Sequence, residues 1–394
     1  MSIGDWILVG IAIVGTIPAA ILFLETIVAI LPRRQRKIDP LASRSACVVL
    51  IPAHNEELGI GATVAAILPQ LKVDDRILVV ADNCADETAR VARENGAGVL
   101  ERQNALQRGK GFALEFGMQS LEAAPPQVVV ILDADARVAE GALDQLVADA
   151  AKYQRPIQAV YIENPVNAGS RERWSAFAML FKNWVRPLGL YRLGFPCLLT
   201  GSGMAFPWEV LRKVTLGTAN IVEDMKLGLD LAIAGKAPRL CPEALVTADS
   251  APHLKAVRQQ RTRWEHGHVK TLLAETPRLL LRGMLGRPKL LGLAAELSVP
   301  PLSLLAILLV FFASISLLSW SLGGSFLPFL IFSIAVALTI VTILLAWCRF
   351  GQQILPLHHL LLLPVYVLWK IPIYLKLLVS PQKTWNRTER TELR

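Results

Sequence analysis

A chain of 394 residues that is 53 % hydrophobic and 19 % charged is too apolar for an ordinary water-soluble enzyme, so part of it belongs in lipid. Its formal charge of +9 does not point to nucleic acid. Many basic residues cluster in "RRQRK" (33–37) and "RLLLRGMLGRPK" (278–289), beside apolar runs where they meet anionic headgroups, and no interleaved basic and aromatic platform accompanies them.

The first element is apolar. Trp6 to Leu24 carry no charge and the run extends to Pro32, enough for one spanning helix of about 20 residues. No Lys or Arg precedes it and "RRQRK" follows, so the positive-inside rule puts the N-terminus outside and residue 33 onward in the cytoplasm. A cleaved signal peptide is the competing reading, but the run is too long and the charges lie on its wrong side.

Residues of ordinary polarity follow, enough for a sizeable α/β core. "ACVVLIPA" (46–53) predicts a buried strand and Leu58 to Leu71 a helix. "RILVVADNCAD" (76–86) predicts a second strand, and "ETARVARENG" a helix closing on Gly96. "AGVLER" (97–102) is a short third strand and "RGKGFALEFGMQSL" (108–121) a helix. Repeated strand–turn–helix units with polar residues at the strands' carboxyl ends define a doubly wound, nucleotide-binding half with a mostly parallel sheet. "GIGATV" (59–64) mimics a dinucleotide fingerprint, but Val64 occupies the third glycine position and the run sits inside a helix, so no hydride cofactor follows. "RGKG" (108–111) offers backbone N–H groups and Lys110 at a helix start, suited to a phosphate, yet lacks Walker spacing.

The next strand, "VVVILDADARV" (128–138), ends in Asp133 and Asp135. On an extended backbone their i, i+2 spacing points both carboxylates the same way, and two like charges so held call for a hard cation, Mg²⁺ or Mn²⁺. The bland reading is that they end the strand and cap the next helix. "LLTGSGMAF" (198–206) puts Gly201 and Ser202 where backbone can approach a ligand. "VEDMKLGLDLAIAG" (222–235) opens a helix with Glu223 and Asp224, which the helix dipole also favours. "QQRTRWEHGH" (259–268) supplies Gln260, Arg263 and Trp264, equally readable as a bilayer anchor.

Leu297 to Cys348 hold no charged residue and fit two crossings joined near "SLGGSF". Ile354 to Trp369 is short for a span, and Pro364, Pro372, Lys370 and Lys376 suggest a broken segment that re-enters or lies in the interface. The expected division is a spanning helix 1–32, a cytoplasmic domain 33–275, an amphipathic interface segment 276–296, a membrane region 297–380 and a basic tail 381–394. Cys47, Cys84, Cys197, Cys241 and Cys348 form no C-x-x-C pair and read as free thiols.

Taken in order, Asp82, the Asp133-x-Asp135 pair, Glu223-Asp224 and Gln260-x-x-Arg263-Trp264, followed by membrane helices, resemble the family 2 inverting glycosyltransferases. The architecture is similar to that of membrane-embedded cellulose, hyaluronan and poly-N-acetylglucosamine synthases, over roughly residues 46 to 270. The resemblance implies a GT-A domain flanked by transmembrane helices in a bacterial inner membrane. It implies a UDP-sugar donor, a growing cell-surface glycan as acceptor, a β-linkage and a Mg²⁺ or Mn²⁺ cofactor. By the same resemblance Asp82 contacts the nucleobase, Lys110 the phosphates and Asp133 the ribose or sugar, while Asp135 binds the metal. Asp224, with Glu223 beside it, is the catalytic base, Gly201 and Ser202 lie at the acceptor end, Gln260 and Arg263 hold the diphosphate, and Trp264 stacks on the acceptor sugar. Ala81 and Val222 depart from the family pattern, which bears on the nucleobase contact and on a cellulose product. The rival within the class adds one sugar to a lipid such as diacylglycerol or ceramide. The rival outside it is a non-catalytic nucleotide-binding membrane protein, against which stand the uncharged spans and the retained acids.

Overall fold

Short runs of branched aliphatics, each closed by polar residues, become one eight-stranded sheet. The computed structural model describes residues 2–32, 44–165, 169–217, 222–249 and 254–379; the orientation signal at 33–37 and the tail 381–394 lie outside the described residues. The strands are β1 (Cys47–Ala53), β2 (Arg76–Asp82), β3 (Gly98–Arg102), β4 (Val128–Ile131), β5 (Arg137–Val138), β6 (Ile157–Asn164), β7 (Met204–Pro207) and β8 (Arg239–Asp249), in the order β3-β2-β1-β4-β7-β6-β8-β5. β3, β2, β1 and β4 run parallel, β7 is antiparallel to both β4 and β6, and β8 is parallel to β6. This is the mostly parallel α/β sheet that the sequence predicts.

Its central strands are apolar on both faces because helices cover both. Val49, Ile51 and Val79 pack with Ile60, Val64 and Leu146 on one face, while Val48, Leu50 and Val80 pack with Leu114, Met118 and Leu231 on the other. Gly117 lets the helix Lys110–Leu121 lie close on β1 and β2: a Cβ there would stand 2.6 Å from Leu50 Cδ1. That packing fixes where Lys110 stands. The chain's winding reverses between β1 and β4, since β2 and β3 lie to one side of β1 and β4 to the other. Such a switch point opens a crevice beyond the strands' carboxyl ends, where ligands collect.

The compact units cut the chain differently from the expected linear division. Asn167–Phe195 and Val257–Gln382 join Met1–Pro32 in a helical unit, leaving Arg33–Val166 and Pro196–Ala256 in the α/β unit. The reason is visible in side chains. Arg186 Nε donates to Glu25 at 2.7 Å and its Nη2 donates to Glu296 O at 2.7 Å, both inside the helical unit. Arg192 likewise donates to Val28 O and Leu31 O at 2.6 Å. Among the described residues of this unit, three helices are long and apolar enough to cross a membrane: Ile3–Ile30, Leu302–Ser321 and Leu327–Gly351. The last apolar stretch forms two helices, Leu357–Leu360 and Leu363–Val379; Pro364 lies in the first turn of the second, and Pro372 lies inside that helix without ending it.

Candidate active site

The antiparallel pairing of β7 with β4 builds the site. Ile131 stands opposite Met204, so the residues leaving β4 run beside those entering β7. Asp133 N therefore donates to Ser202 Oγ at 3.0 Å, and Ser202 is fully buried. β4 ends at Ile131, and the expected extended backbone through Asp135 gives way to a turn at Ala134–Asp135, closed by Ala136 N donating to Asp133 O at 3.1 Å. A turn is what a short strand needs to reverse toward β5. The acids do not cap the next helix, whose N-cap is Gly141. Asp133 and Asp135 are both half-buried, between the buried Leu132, Ala134 and Ala136.

Lys110 Nζ forms an ion pair with Asp133 and donates to Gly201 O at 2.6 Å. Its side chain is 19 % exposed, and burial alone would favour the neutral amine. Asp133, Glu223 and Asp224 more than offset that, holding the pKa above the ordinary lysine value. Gly201 has φ 90°, and a Cβ there would lie 3.0 Å from Asp224 Oδ2 and 3.7 Å from Lys110 Nζ. An ammonium and a carboxylate thus meet where the backbone carries no side chain. Asp224 is the second residue of the helix Glu223–Ile233, whose N-cap, Val222, makes no side-chain bond; Asp224 Oδ1 accepts from Met225 N at 2.8 Å. Asp224 therefore serves the helix end with one oxygen while the other faces Gly201.

Asp82, at the end of β2, is buried and paired with Arg102 at 2.6 Å, and Asn83 donates to the same oxygen at 3.0 Å. Arg102 also donates to Gln107 O at 2.8 Å, tying Asp82 to the loop that leads into Lys110. The structure thus gathers Lys110, Asp133, Gly201, Ser202, Glu223 and Asp224, with Asp135 in the same turn as Asp133. Gln260, Arg263 and Trp264 lie on the helix Leu254–Met284 of the helical unit, all half-buried, with the Arg261 guanidinium 4.9 Å from the Trp264 ring centre.

Among the described residues no group of three or more His, Cys, Asp or Glu is placed to hold a metal. Asp133 and Asp135 offer a hard, oxygen-only, partial ligand set, which fits an ion that takes its other ligands from phosphate and water.

Residues 128–374 match the model of glycosyl transferase family group 2, and residues 48–205 that of glycosyl transferase family 2. The chain belongs to the family 2 glycosyltransferases. It is 25 % identical over 236 residues to the probable glycosyltransferase YdaM of Bacillus subtilis (strain 168), covering 57 % of this chain and 56 % of that one. It is 36 % identical over 104 residues to the uncharacterized glycosyltransferase Rv0539 of Mycobacterium tuberculosis H37Rv, covering 26 % of this chain and 43 % of that one. The transferase spans about half the length of the curated relatives it matches. The mannosyltransferase PcManGT of Pyrobaculum calidifontis, solved with GDP-Man and Mn²⁺, superposes with a TM-score of 0.57 at 16 % identity, over 87 % of this chain and 98 % of that one, which shows a GT-A-like fold.

Sequence reasoning about this transferase missed Gln158. Its buried amide donates to Ser202 O at 2.8 Å and accepts from Thr200 N at 2.9 Å, so β6 holds the loop that carries Gly201. The signal was present, since Gln158 is a polar residue within the otherwise apolar start of "IQAVYIEN". Arg102 was missed too, because the partner of a buried acid lies one strand away and is named by the sheet order alone.

Proposed function

We propose that this transferase moves a sugar from a UDP-sugar to a growing cell-surface glycan with inversion, forming a β-linkage. The observation that carries the reading is the meeting of Lys110, Asp133 and Asp224 at Gly201, at the carboxyl edge of a doubly wound sheet. Substitution at an anomeric carbon needs a base for the acceptor hydroxyl and a cation for the departing diphosphate. Asp224 takes the acceptor proton, with Glu223 beside it, and no covalent enzyme intermediate is required. Lys110 offsets charge on the leaving group, and Gly201 and Ser202 give the acceptor close access to backbone. Asp133 and Asp135 would hold Mg²⁺ or Mn²⁺, which when bound neutralises diphosphate charge as a Lewis acid. The Mn²⁺ and GDP-Man of the Pyrobaculum mannosyltransferase support a divalent ion and a nucleotide-sugar here. Asp82, oriented by Arg102 and Asn83, is assigned to the nucleobase. Gln260 and Arg263 are assigned to the diphosphate, and Trp264 to stacking on the acceptor sugar.

The test is incubation of membranes containing the chain with labelled UDP-glucose, UDP-galactose, UDP-N-acetylglucosamine and GDP-mannose, analysing polymer and lipid fractions. A ladder or polymer from a UDP-sugar is expected. A single sugar on diacylglycerol or ceramide replaces the glycan acceptor with a lipid, and no donor consumption above an Asp224→Asn control overturns the reading.

A further inference from the structure

Asp82 and Arg102 end β2 and β3 side by side, paired in register at the carboxyl edge of the sheet. Both are buried, at 5 % and 8 % exposure. A buried arginine is costly unless its donors find acceptors, and this one directs them two ways. Nη1 donates to Asp82 Oδ1 at 2.6 Å and to Gln107 O at 2.8 Å, and Nη2 donates to Gln107 Oε1 at 3.2 Å.

The loop between Arg102 and Lys110 is closed around that contact. Asn104 Oδ1 accepts from Leu106 N and from Gln107 N, each at 3.0 Å, and Asn104 N donates to Asn83 Oδ1 at 2.8 Å. Asn83 takes a left-handed φ of 52°, and its Nδ2 donates to Asp82 Oδ1 at 3.0 Å. Lys110 follows, opening the helix Lys110–Leu121, and the Phe112 ring of that helix lies 5.9 Å from the Arg102 guanidinium. One guanidinium thus holds both the acid at the end of β2 and the loop that delivers the lysine. Two donors occupy Asp82 Oδ1, whereas Oδ2 has no hydrogen-bonding partner among the described residues. A carboxylate oxygen only accepts, so Oδ2 suits a ring N–H such as the imide of uracil or the N1–H of guanine.

We propose that Arg102 is a positioning residue that couples the two ends of the donor, so that docking of the base strengthens the hold of Lys110 on the diphosphate. This coupling rests on the transferase reading above, which assigns Asp82 to the base and Lys110 to the phosphates. Its physical ground is preorganisation. A base bound on Oδ2 fixes Asp82, Asp82 fixes Arg102, and Arg102 fixes Gln107 O, which leaves less of the loop to order when the phosphates arrive. The effect is reciprocal, as any coupling of binding free energies must be.

The full chain, purified in detergent with excess Mg²⁺, is titrated calorimetrically with UDP, GDP and inorganic pyrophosphate, the last carrying phosphates and no base. Lys110→Gln should weaken the nucleotide that binds by about fivefold or more beyond what it costs pyrophosphate, since the lysine contributes most when a base has ordered its loop. In an Arg102→Lys background, which keeps a cation for Asp82 but not the fork that reaches Gln107, that excess should shrink to about twofold or less. Asn104→Ala, which releases Leu106 N and Gln107 N and leaves the Asp82–Arg102 pair, should shrink it as well. Melting of each background without ligand shows whether it folds, and should Arg102→Lys not fold, Asn104→Ala decides. Equal losses for nucleotide and pyrophosphate in the otherwise unaltered chain, or an undiminished excess in the folded backgrounds, overturns the coupling and leaves the transferase reading standing. Binding of neither UDP nor GDP overturns the donor reading and the coupling with it.

Discussion

At Gly201 a backbone angle and a carboxylate coincide. With φ at 90° and Asp224 Oδ2 3.0 Å from any added Cβ, Gly201→Ala both strains the loop and presses on the proposed base. Turnover should fall by about tenfold or more, as for a site displaced by a fraction of an ångström to 1 Å, and the thermal melt should drop only by what a backbone strain of about 1–2 kcal/mol allows. Near-wild-type turnover would mean that this carboxylate is not where the proton leaves. The two acidic sites are separable by the same logic. Asp224→Asn should cut turnover by about 10²- to 10⁴-fold, the usual worth of a positioned base, and leave calorimetric UDP binding near normal. Asp135→Ala should weaken UDP binding and abolish rescue by Mg²⁺ or Mn²⁺. If Asp224→Asn keeps more than about a tenth of wild-type turnover, the carboxylate is serving only the helix end.

Loops at this site owe their shape to buried polar side chains on neighbouring elements. Gln158 of β6 satisfies Thr200 N and Ser202 O, so Gln158→Leu leaves buried backbone groups unpaired at about 1–3 kcal/mol. Denaturant unfolding should show that loss, and turnover should fall further than stability explains; equal activity per folded molecule would exclude a positioning role. At the other edge of the sheet, Arg44 and Asp75 are almost fully buried and paired at 2.5 Å, and Asp75 also accepts from Cys47 N at 2.8 Å. Burial alone would raise the Asp75 pKa, but hydrogen bonds from Arg44, Lys72 N and Cys47 N hold it below its ordinary 3.8. The ionised carboxylate is thus the form the fold binds. Its contribution is complete above the ordinary aspartate range and is lost as pH falls below 3.8 through the depressed folded value. Asp75→Asn leaves Arg44 with Asp144 as its remaining carboxylate, so it should lower neutral-pH stability by about 1–3 kcal/mol and flatten the acid limb of stability against pH. An unchanged acid limb would assign acid unfolding to other carboxylates.

For the whole molecule, the capping of Asp5 against Ser325 puts the chain's first helix end and the turn near residues 322–326 together. An N-terminus outside, as the positive-inside rule proposes, would put that turn outside as well, with Leu327–Gly351 returning the chain to the cytoplasm. In a background lacking Cys84 and Cys348, Leu322→Cys should react with an impermeant thiol reagent in intact cells, whereas Leu106→Cys, exposed in the α/β unit, should react only after permeabilisation. Labelling of Leu106→Cys alone from outside would invert the orientation, and labelling of both or of neither before permeabilisation would deny that these helices span.

Local patterns were legible because their causes are local. Buried strands announce themselves as aliphatic runs and spans as uncharged stretches, so β1 to β4 could be named from the chain alone, and the acids at a strand end, Asp133 and Asp135, and at a helix start, Asp224, mark the proposed site. The prolines of the last apolar stretch were legible only in part, since Pro364 stands at a helix start but Pro372 is carried inside the helix Leu363–Val379. Pairings between distant segments were not legible, because no periodicity encodes them. Only the reversal of β7 against β4 brings Ser202 to Asp133, and only the sheet order gives Asp82 its Arg102. Asn167–Phe195 joins the helical unit because Arg186 needs a carboxylate once buried, and Glu25 supplies it from 161 residues away in the chain. A buried charge needs a partner, and tertiary structure alone decides which residue that partner is.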